Sequence, residues 1–397
     1  MALATDTTRL RTQGQRVVAG TIPGVGCADV RIVDAKIRSI ELVDREDPVT
    51  LVPGLLDVQV NGYDGIDLND GAVTPEKVSS LVRALLAEGV TGFCPTFVTA
   101  PLADLVAGLR AVAAAMADDP LARHCILGVH LEGPWISPED GARGAHTKEH
   151  VRAATPEELD ALTGAGAPIS IITMAPEVKG VIDVIPEVVA RGIVAAIGHS
   201  AAEPEDIKAA VAAGATLSTH LGNGLAAALP RHPNLLWSQL AADRLWASFI
   251  ADSHHLDAET LSVMIAAKGL DRSILVSDTV AVGGLAPGVY ETHVGGRVEL
   301  SASGRLALAD TAYLAGAARP LIEGVAWLAG TGILDLCDAL RLSTENPSEL
   351  LQTEGENRGR IAVDGPADLV RIDMSNGRPT VLEVIVGGTT VHGEALT

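Results

Sequence analysis

The sequence predicts an α/β chain: a (β/α)8 barrel of the TIM type, with a small discontinuous β-domain built from the N- and C-terminal segments. Three observations carry this. Short β-branched runs alternate with longer Ala/Leu/Glu-rich stretches from about residue 55, eight strand candidates can be counted, and both flanks switch to Val/Thr/Gly alternation. Eight is the number a closed barrel of this type requires.

The strand candidates are LLDVQV (55–60), GVTGFCPTF (89–97), CILGVHLE (125–132), ISIITMAP (169–176), IVAAIGHS (193–200), ATLSTHLG (215–222), WASFIADS (246–253) and SILVSD (273–278). Between them TPEKVSSLVRALLAEG, PLADLVAGLRAVAAAMA, EPEDIKAAVAAG and DAETLSVMIAAKG read as helices, several opening with Thr, Asp or Pro in the capping position. Residues 1–53, with CADVRIVDAKIRSIELV, and 355–397, with GPADLVRIDMSNGRPTVLEVIVGG, read as the two parts of the small β-domain, leaving 54–354 to the barrel. No repeat, low-complexity tract or charge block points to a disordered tail beyond the first dozen residues.

A chain of 397 residues, 47% hydrophobic, can bury the core of a barrel-sized domain and a smaller one. Its formal charge of −21 argues against nucleic acid and anionic lipid as partners, because phosphate backbones and headgroups are repelled. A small anionic substrate stays open, since salt confines the global field to roughly 8 Å. No apolar run reaches the roughly 18 residues of a membrane span, and MALATDTTRLRTQGQR lacks the apolar centre of a signal peptide, so a cytoplasmic location is expected. Cys27, Cys94, Cys125 and Cys337 lie far apart with no C-x-x-C pair and read as reduced thiols outside any metal site or disulfide.

Polar residues gather where the strands end. Strand one offers Gln59 and Asn61, strand three His130 and Glu132, strand five His199, strand six His220, strand seven Asp252, His254 and His255, and strand eight Asp278. In a (β/α)8 barrel these C-terminal ends converge on one mouth. The two-residue period of a strand puts His130 and Glu132 on one face. Glu132, His199 and His220 supply the carboxylate and imidazole atoms that suit Zn²⁺ or a similar divalent ion, and three protein ligands leave a position open for water. Such an ion lowers the pKa of its water to about 7. Asp278 is the remaining carboxylate, placed to take a proton and return it to a leaving nitrogen, while His130 supports Glu132 from beside it.

The stretches VPGLLDVQVNG, HLEGPWISPEDGARGAH, GHS, THLGNG, IADSHH and VSD resemble, in order and spacing, the motifs of the N-acetylglucosamine-6-phosphate deacetylases of the amidohydrolase superfamily. The resemblance implies metal-dependent hydrolysis of the N-acetyl group of an amino-sugar phosphate, foremost N-acetylglucosamine 6-phosphate to glucosamine 6-phosphate and acetate. It implies one divalent ion per chain, zinc or else iron, cobalt or manganese, on Glu132, His199 and His220, with Asp278 as acid and base. By the same resemblance His146 contacts substrate and polarises the acyl carbonyl, and His255 binds substrate. Asn223 and the Gly224 N–H hold the sugar phosphate, and Arg231 binds phosphate, often across the interface of a homodimer. Gln59 and Asn61 stand where many amidohydrolases carry H-x-H for a second metal, so a single ion is implied.

The departures from the family pattern lie around the substrate: YNAM is GNGL, REPG is RHPN, ADGLH is ADSHH with the additional His254, and TDA is SDT. An amidohydrolase with the same metal centre acting on another N-acyl or cyclic amide substrate is therefore the alternative. A sugar-phosphate aldolase or isomerase would want a Lys at a strand end, and these ends offer none. His124, His150 and His232 are left outside the site.

Overall fold

A computed structural model describes residues 15–394 apart from 312, 376 and 377; all but the last two residues of MALATDTTRLRTQGQR lie outside the described residues. Eight strands, Leu55–Val60, Val90–Val98, Val129–Glu132, Ile169–Met174, Val194–Ile197, Leu217–Ser218, Trp246–Ile250 and Ser273–Val276, lie side by side in chain order and pair in parallel. The parallel bridge Val60↔Thr279 joins the last to the first, and the Asn61 N–H donates to the Thr279 carbonyl at 2.8 Å. These are barrel strands one to eight.

Alternation sorts the side chains. Leu131, Ile172 and Leu275 pack outward with the helices, whereas Cys94, Ile171, Ala196, Leu217 and Ile274 fill the barrel. His130, Thr173 and Thr219, also buried, lie nearer the strand ends. The apolar floor thus gives way to polar groups just where the strands open on the mouth.

The helices begin where side-chain caps allow. Thr74 accepts from Lys77 N–H at the start of Pro75–Ala87, Thr155 from Glu158 N–H at Pro156–Thr163, and Asp257 from Thr260 N–H at Ala258–Lys268. Asp119 caps Pro120–Cys125 in the same way, which corrects one boundary. Strand three begins at Val129 instead of residue 125, because this cap and Pro120 at the first turn make the preceding segment helical. Strands five and six are also shorter than their sequence runs, ending at Ile197 and Ser218, so His199 and His220 sit in the loops immediately beyond them.

Strands from both flanks, Arg16–Ile22, Gly26–Val33, Lys36–Leu42, Thr50–Pro53, Leu369–Asp373, Thr380–Val386 and Thr389–Gly393, form one seven-stranded sheet, joined where Thr50–Pro53 pairs antiparallel with Leu369–Asp373. Val30, Ile32, Leu51, Leu369 and Ile385 are among its core. Sequence patterning assigned no element between the eighth strand and the C-terminal flank. The structure places there a three-stranded antiparallel sheet, Gly288–Thr292, Gly296–Leu300 and Leu306–Leu308, with its own small core around Val298, Leu300 and Leu306, and then three helices. All four cysteines are free, and no helix among the described residues is long and apolar enough to cross a membrane.

Candidate active site

The last residue of strand three and two residues from the loops after strands five and six meet at one point. Glu132 Oε1 lies 3.1 Å from His199 Nε2 and 2.8 Å from His220 Nε2, and the two imidazole nitrogens are 3.1 Å apart. His199 Nδ1 is 3.0 Å from the Ala142 carbonyl, which can only accept, so that nitrogen carries the proton and Nε2 turns a lone pair inward. A lone pair and a carboxylate oxygen at this range call for a positive charge between them. A triangle of these sides admits an ion at the roughly 2.0–2.2 Å bond lengths of zinc. The site's own electrostatics agree. Burial opposes ionisation of Glu132, but the His199 and His220 imidazoles against it hold its carboxyl well below the usual range. Burial likewise works against a charged His220, and its bond to Glu132 nevertheless raises it.

The backbone is bent to achieve this convergence. His199, His220 and Asp278 have φ of 48°, 31° and 51°, a left-handed conformation that costs a non-glycine residue about 1–3 kcal/mol and is concentrated at functional sites. Two glycines then make room for the His199 ring: a Cβ on Gly144 would stand 3.1 Å from His199 Cε1, and one on Gly224 3.0 Å from Nδ1. Gly224 is thus a packing requirement for His199 as well as part of the cavity wall.

The first strand supports the carboxylates rather than adding ligands. Gln59 Nε2 donates to Glu132 Oε1 at 3.0 Å, and Asn61 Nδ2 donates to Asp278 Oδ1 at 2.7 Å. Asp278 is half-buried at the mouth, and its removal from solvent, reinforced by the Glu132 charge, pushes its carboxyl up to about 6. His130 does not touch Glu132. It lies one layer down, with Nδ1 3.0 Å from the Val58 carbonyl and Nε2 2.7 Å from Thr173 Oγ1, whose hydroxyl meets that of Thr219 at 2.7 Å. The result is a hydrogen-bonded floor running from the strand of Glu132 towards that of His220. Burial pushes His130 down to about 4, so the ring is neutral.

His146 enters from the loop after strand three, with Nε2 3.2 Å from His199 Nε2, near enough to the Glu132–His199 pair to count as a possible ligand itself. His255 Nδ1 lies 2.8 Å from Asp252 Oδ2, and Asp252 Oδ1 accepts the His254 and His255 N–H groups at 2.8 Å each, which fixes that loop. Around these groups is a cavity of about 360 Å³ whose wall includes Asn61, Asn223, Gly224, His255 and Asp278. Its far side is apolar, made by Val294, Val298, Leu306 and Leu314 of the inserted sheet and the segment after it, and Asp67 and Asn69 also line the cavity. No Lys or Arg is among the described residues that line it. Arg231 is exposed on the loop before the helix Leu235–Leu240 and does not line this chain's cavity. His254 is tied to the inserted sheet, its Nε2 3.1 Å from the Ser303 carbonyl. His124 pairs with Asp368 at 2.8 Å and so belongs to another network, and His232 is exposed.

Residues 50–391 match the amidohydrolase family. The chain belongs to that family. Within it the chain is 31% identical over 337 residues to the N-acetylgalactosamine-6-phosphate deacetylase of Escherichia coli O157:H7, covering 82% of this chain and 85% of that protein. It is 35% identical over 339 residues to the N-acetylglucosamine-6-phosphate deacetylase of Bos taurus, covering 82% and 80%. Among solved structures, a mutant N-acetyl-D-glucosamine-6-phosphate deacetylase from Mycobacterium smegmatis, in complex with N-acetyl-D-glucosamine-6-phosphate, superposes with a TM-score of 0.83 at 25% identity, over 96% of this chain and 100% of that one. This amidohydrolase is therefore a hydrolytic enzyme acting on an amide, and its buried Glu and His residues form a divalent-metal site.

Two groups that bear on the site are absent from the sequence-based reading: Thr99, whose hydroxyl is 2.9 Å from His146 Nδ1, and the apolar wall. A threonine ending a strand is ordinary. The wall did leave a trace, the Gly295-Gly296 pair between two alternating runs, which marks a hairpin.

Proposed function

We propose that the protein removes the acetyl group from an N-acetylamino-sugar 6-phosphate, foremost N-acetylglucosamine 6-phosphate, releasing the amine and acetate. The observation that carries this is the meeting of Glu132, His199 and His220 at mutual distances of 2.8–3.1 Å, in a cavity that Asp278 and His146 also line. Glu132, His199 and His220 hold one divalent ion, zinc in this reading, which when bound acidifies water and polarises the amide carbonyl.

The chain's own groups supply the remaining steps. Asp278, oriented by Asn61, takes the proton of the attacking water and passes it to the amide nitrogen as the C–N bond breaks. His146 donates a hydrogen bond to the acyl oxygen as charge builds there. His255, braced by Asp252, and Asn223 with the Gly224 N–H bind the sugar and its phosphate. Gln59 holds Glu132 by an amide N–H, which supports one ion rather than two. In this reading the enzyme works in the cytoplasm, and its formal net charge of −21 disfavours nucleic acid and anionic lipid as partners.

The phosphate needs a cation, and the described cavity wall of this chain has no Lys or Arg. We therefore place Arg231, exposed on its loop, in the cavity of a second subunit of a homodimer. The same observation favours one second reading, an unphosphorylated N-acyl substrate. Relatives named for both galacto and gluco sugars make C4 stereochemistry a further variable. Assay of the purified, metal-loaded protein against N-acetylglucosamine 6-phosphate, its galacto isomer and the two unphosphorylated sugars decides among these. A preference for an unphosphorylated sugar would overturn the phosphate assignment.

A further inference from the structure

His146 stands where it could serve in either of two ways. Its Nε2 is 3.2 Å from His199 Nε2, so a lone pair on that atom would make it a fourth metal ligand, while a hydrogen there would make it a donor. Four protein ligands close a metal site, and three leave it open for chemistry. What decides is the other edge of the ring. The Nδ1 contacts in the structure come from one residue, Thr99, buried just beyond the end of strand two: its backbone N–H points at Nδ1 from 3.3 Å, and its hydroxyl oxygen lies 2.9 Å away.

A backbone N–H can only donate. Nδ1 must therefore accept, and a proton on Nδ1 would set two hydrogens against each other. The hydroxyl has another acceptor in reach, the Glu132 carbonyl, but at 3.5 Å, so the shorter contact assigns its proton to Nδ1 as well. Room for that hydroxyl comes from Gly133: a Cβ there would fall 2.3 Å from Thr99 Oγ1.

We propose that Thr99 is the positioning residue that fixes the tautomer of His146, through two hydrogen bonds to Nδ1, and thereby keeps the metal site open and turns Nε2–H toward the acyl oxygen. The second half rests on the role given to His146 under the proposed function. The first half does not, and can be read without any substrate. The ring cannot ligate through Nε2 while that atom carries the proton, so Thr99 acts on metal coordination and on catalysis at once.

The test is 15N NMR of histidine-labelled, zinc-loaded protein, with the His146 resonances identified by their loss in His146→Gln. The expected wild-type spectrum has a bare Nδ1 and a protonated Nε2. Thr99→Val keeps the backbone donor but loses the hydroxyl. It should give a mixed or shifted His146 signal and a kcat lower by about three- to tenfold, the range for one lost hydrogen bond, with little change in KM. Thr99→Ser should restore both. A wild-type proton on Nδ1, or a Thr99→Val protein whose His146 spectrum and kcat match wild type, would overturn the proposal. Should Thr99→Val fail to fold, the wild-type and Thr99→Ser spectra still decide it. Inactivity of wild type on every acetylated sugar, with the expected tautomer present, would remove the proposed function and leave the tautomer assignment standing.

Discussion

The metal pole of the cavity and its far wall are built on different principles. At the metal pole every carboxylate has a named partner: Glu132 is held by Gln59, His199 and His220, and Asp278 by Asn61. All four support groups come from barrel strand ends or the loops directly after them. The far wall comes from the inserted sheet and its neighbours, offers Val294, Val298, Leu306 and Leu314, and among the described residues has no cationic side chain. The contrast teaches that the Glu132–His199–His220 cluster is built by the barrel and the facing wall by an insertion; under the proposed function, choice of substrate then falls to that insertion and to Arg231, which does not line this chain's own cavity. Substitutions at the two poles should accordingly fail in different ways.

The largest effect belongs to the metal ligands. Glu132→Ala and His220→Ala should lose bound ion and activity together, measured by elemental analysis and turnover on the same samples. Retention of a full ion by either variant would break the assignment. Next comes Asp278→Asn, which keeps the shape but cannot accept a proton. Metal content should persist while kcat falls by about 10² to 10⁴. Its pH profile carries a second signature. The base must be ionised, so wild-type activity should decline as pH falls through the Asp278 pKa, near 6 for the half-buried carboxyl and lower with a cation beside it. That limb should vanish in the variant.

Arg231→Met probes the other pole. A hydrogen bond to a charged group contributes about 1.5–3 kcal/mol, so kcat/KM for the phosphorylated sugar should drop about ten- to a hundredfold, with little change for the unphosphorylated one. Mixing Arg231→Met chains with Asp278→Asn chains should restore activity if Arg231 works in trans, because one site of a mixed dimer regains both groups. Equal losses on both substrates would make Arg231 structural. The smallest effect expected is that of Gln59→Ala, which removes one hydrogen bond from Glu132. Support residues of this kind change metal affinity by about 10- to 100-fold, and the lower end applies to a single neutral donor. Competition with a chelator measures it.

Much of the metal pole was legible in the sequence, and for a physical reason. His130 and Glu132 share a strand, so the two-residue period alone aims them to one side, and both are buried inside the barrel. His199 and His220 were legible as strand-end residues but not in their conformation. Both have positive φ, and the His199 ring packs against Gly144 and Gly224, neighbours that a local pattern does not contain. His130 was read as support for Glu132 and instead belongs to a floor with Thr173 and Thr219, whose hydroxyls are silent in any periodicity. The far wall was the least legible. The run from Gly288 to Leu300 alternates around Gly295-Gly296, but a short antiparallel sheet breaks the βα rhythm by which the chain was otherwise read.

The central claim is that one cation on Glu132, His199 and His220 makes this an amide hydrolase. Stripping the purified protein with a chelator and titrating zinc back, with deacetylation of N-acetylglucosamine 6-phosphate followed at each addition, tests it most directly. Activity should return in proportion to added metal and stop rising at one equivalent per chain. Full activity in the stripped protein, or a rise that ends only at two equivalents, would contradict it.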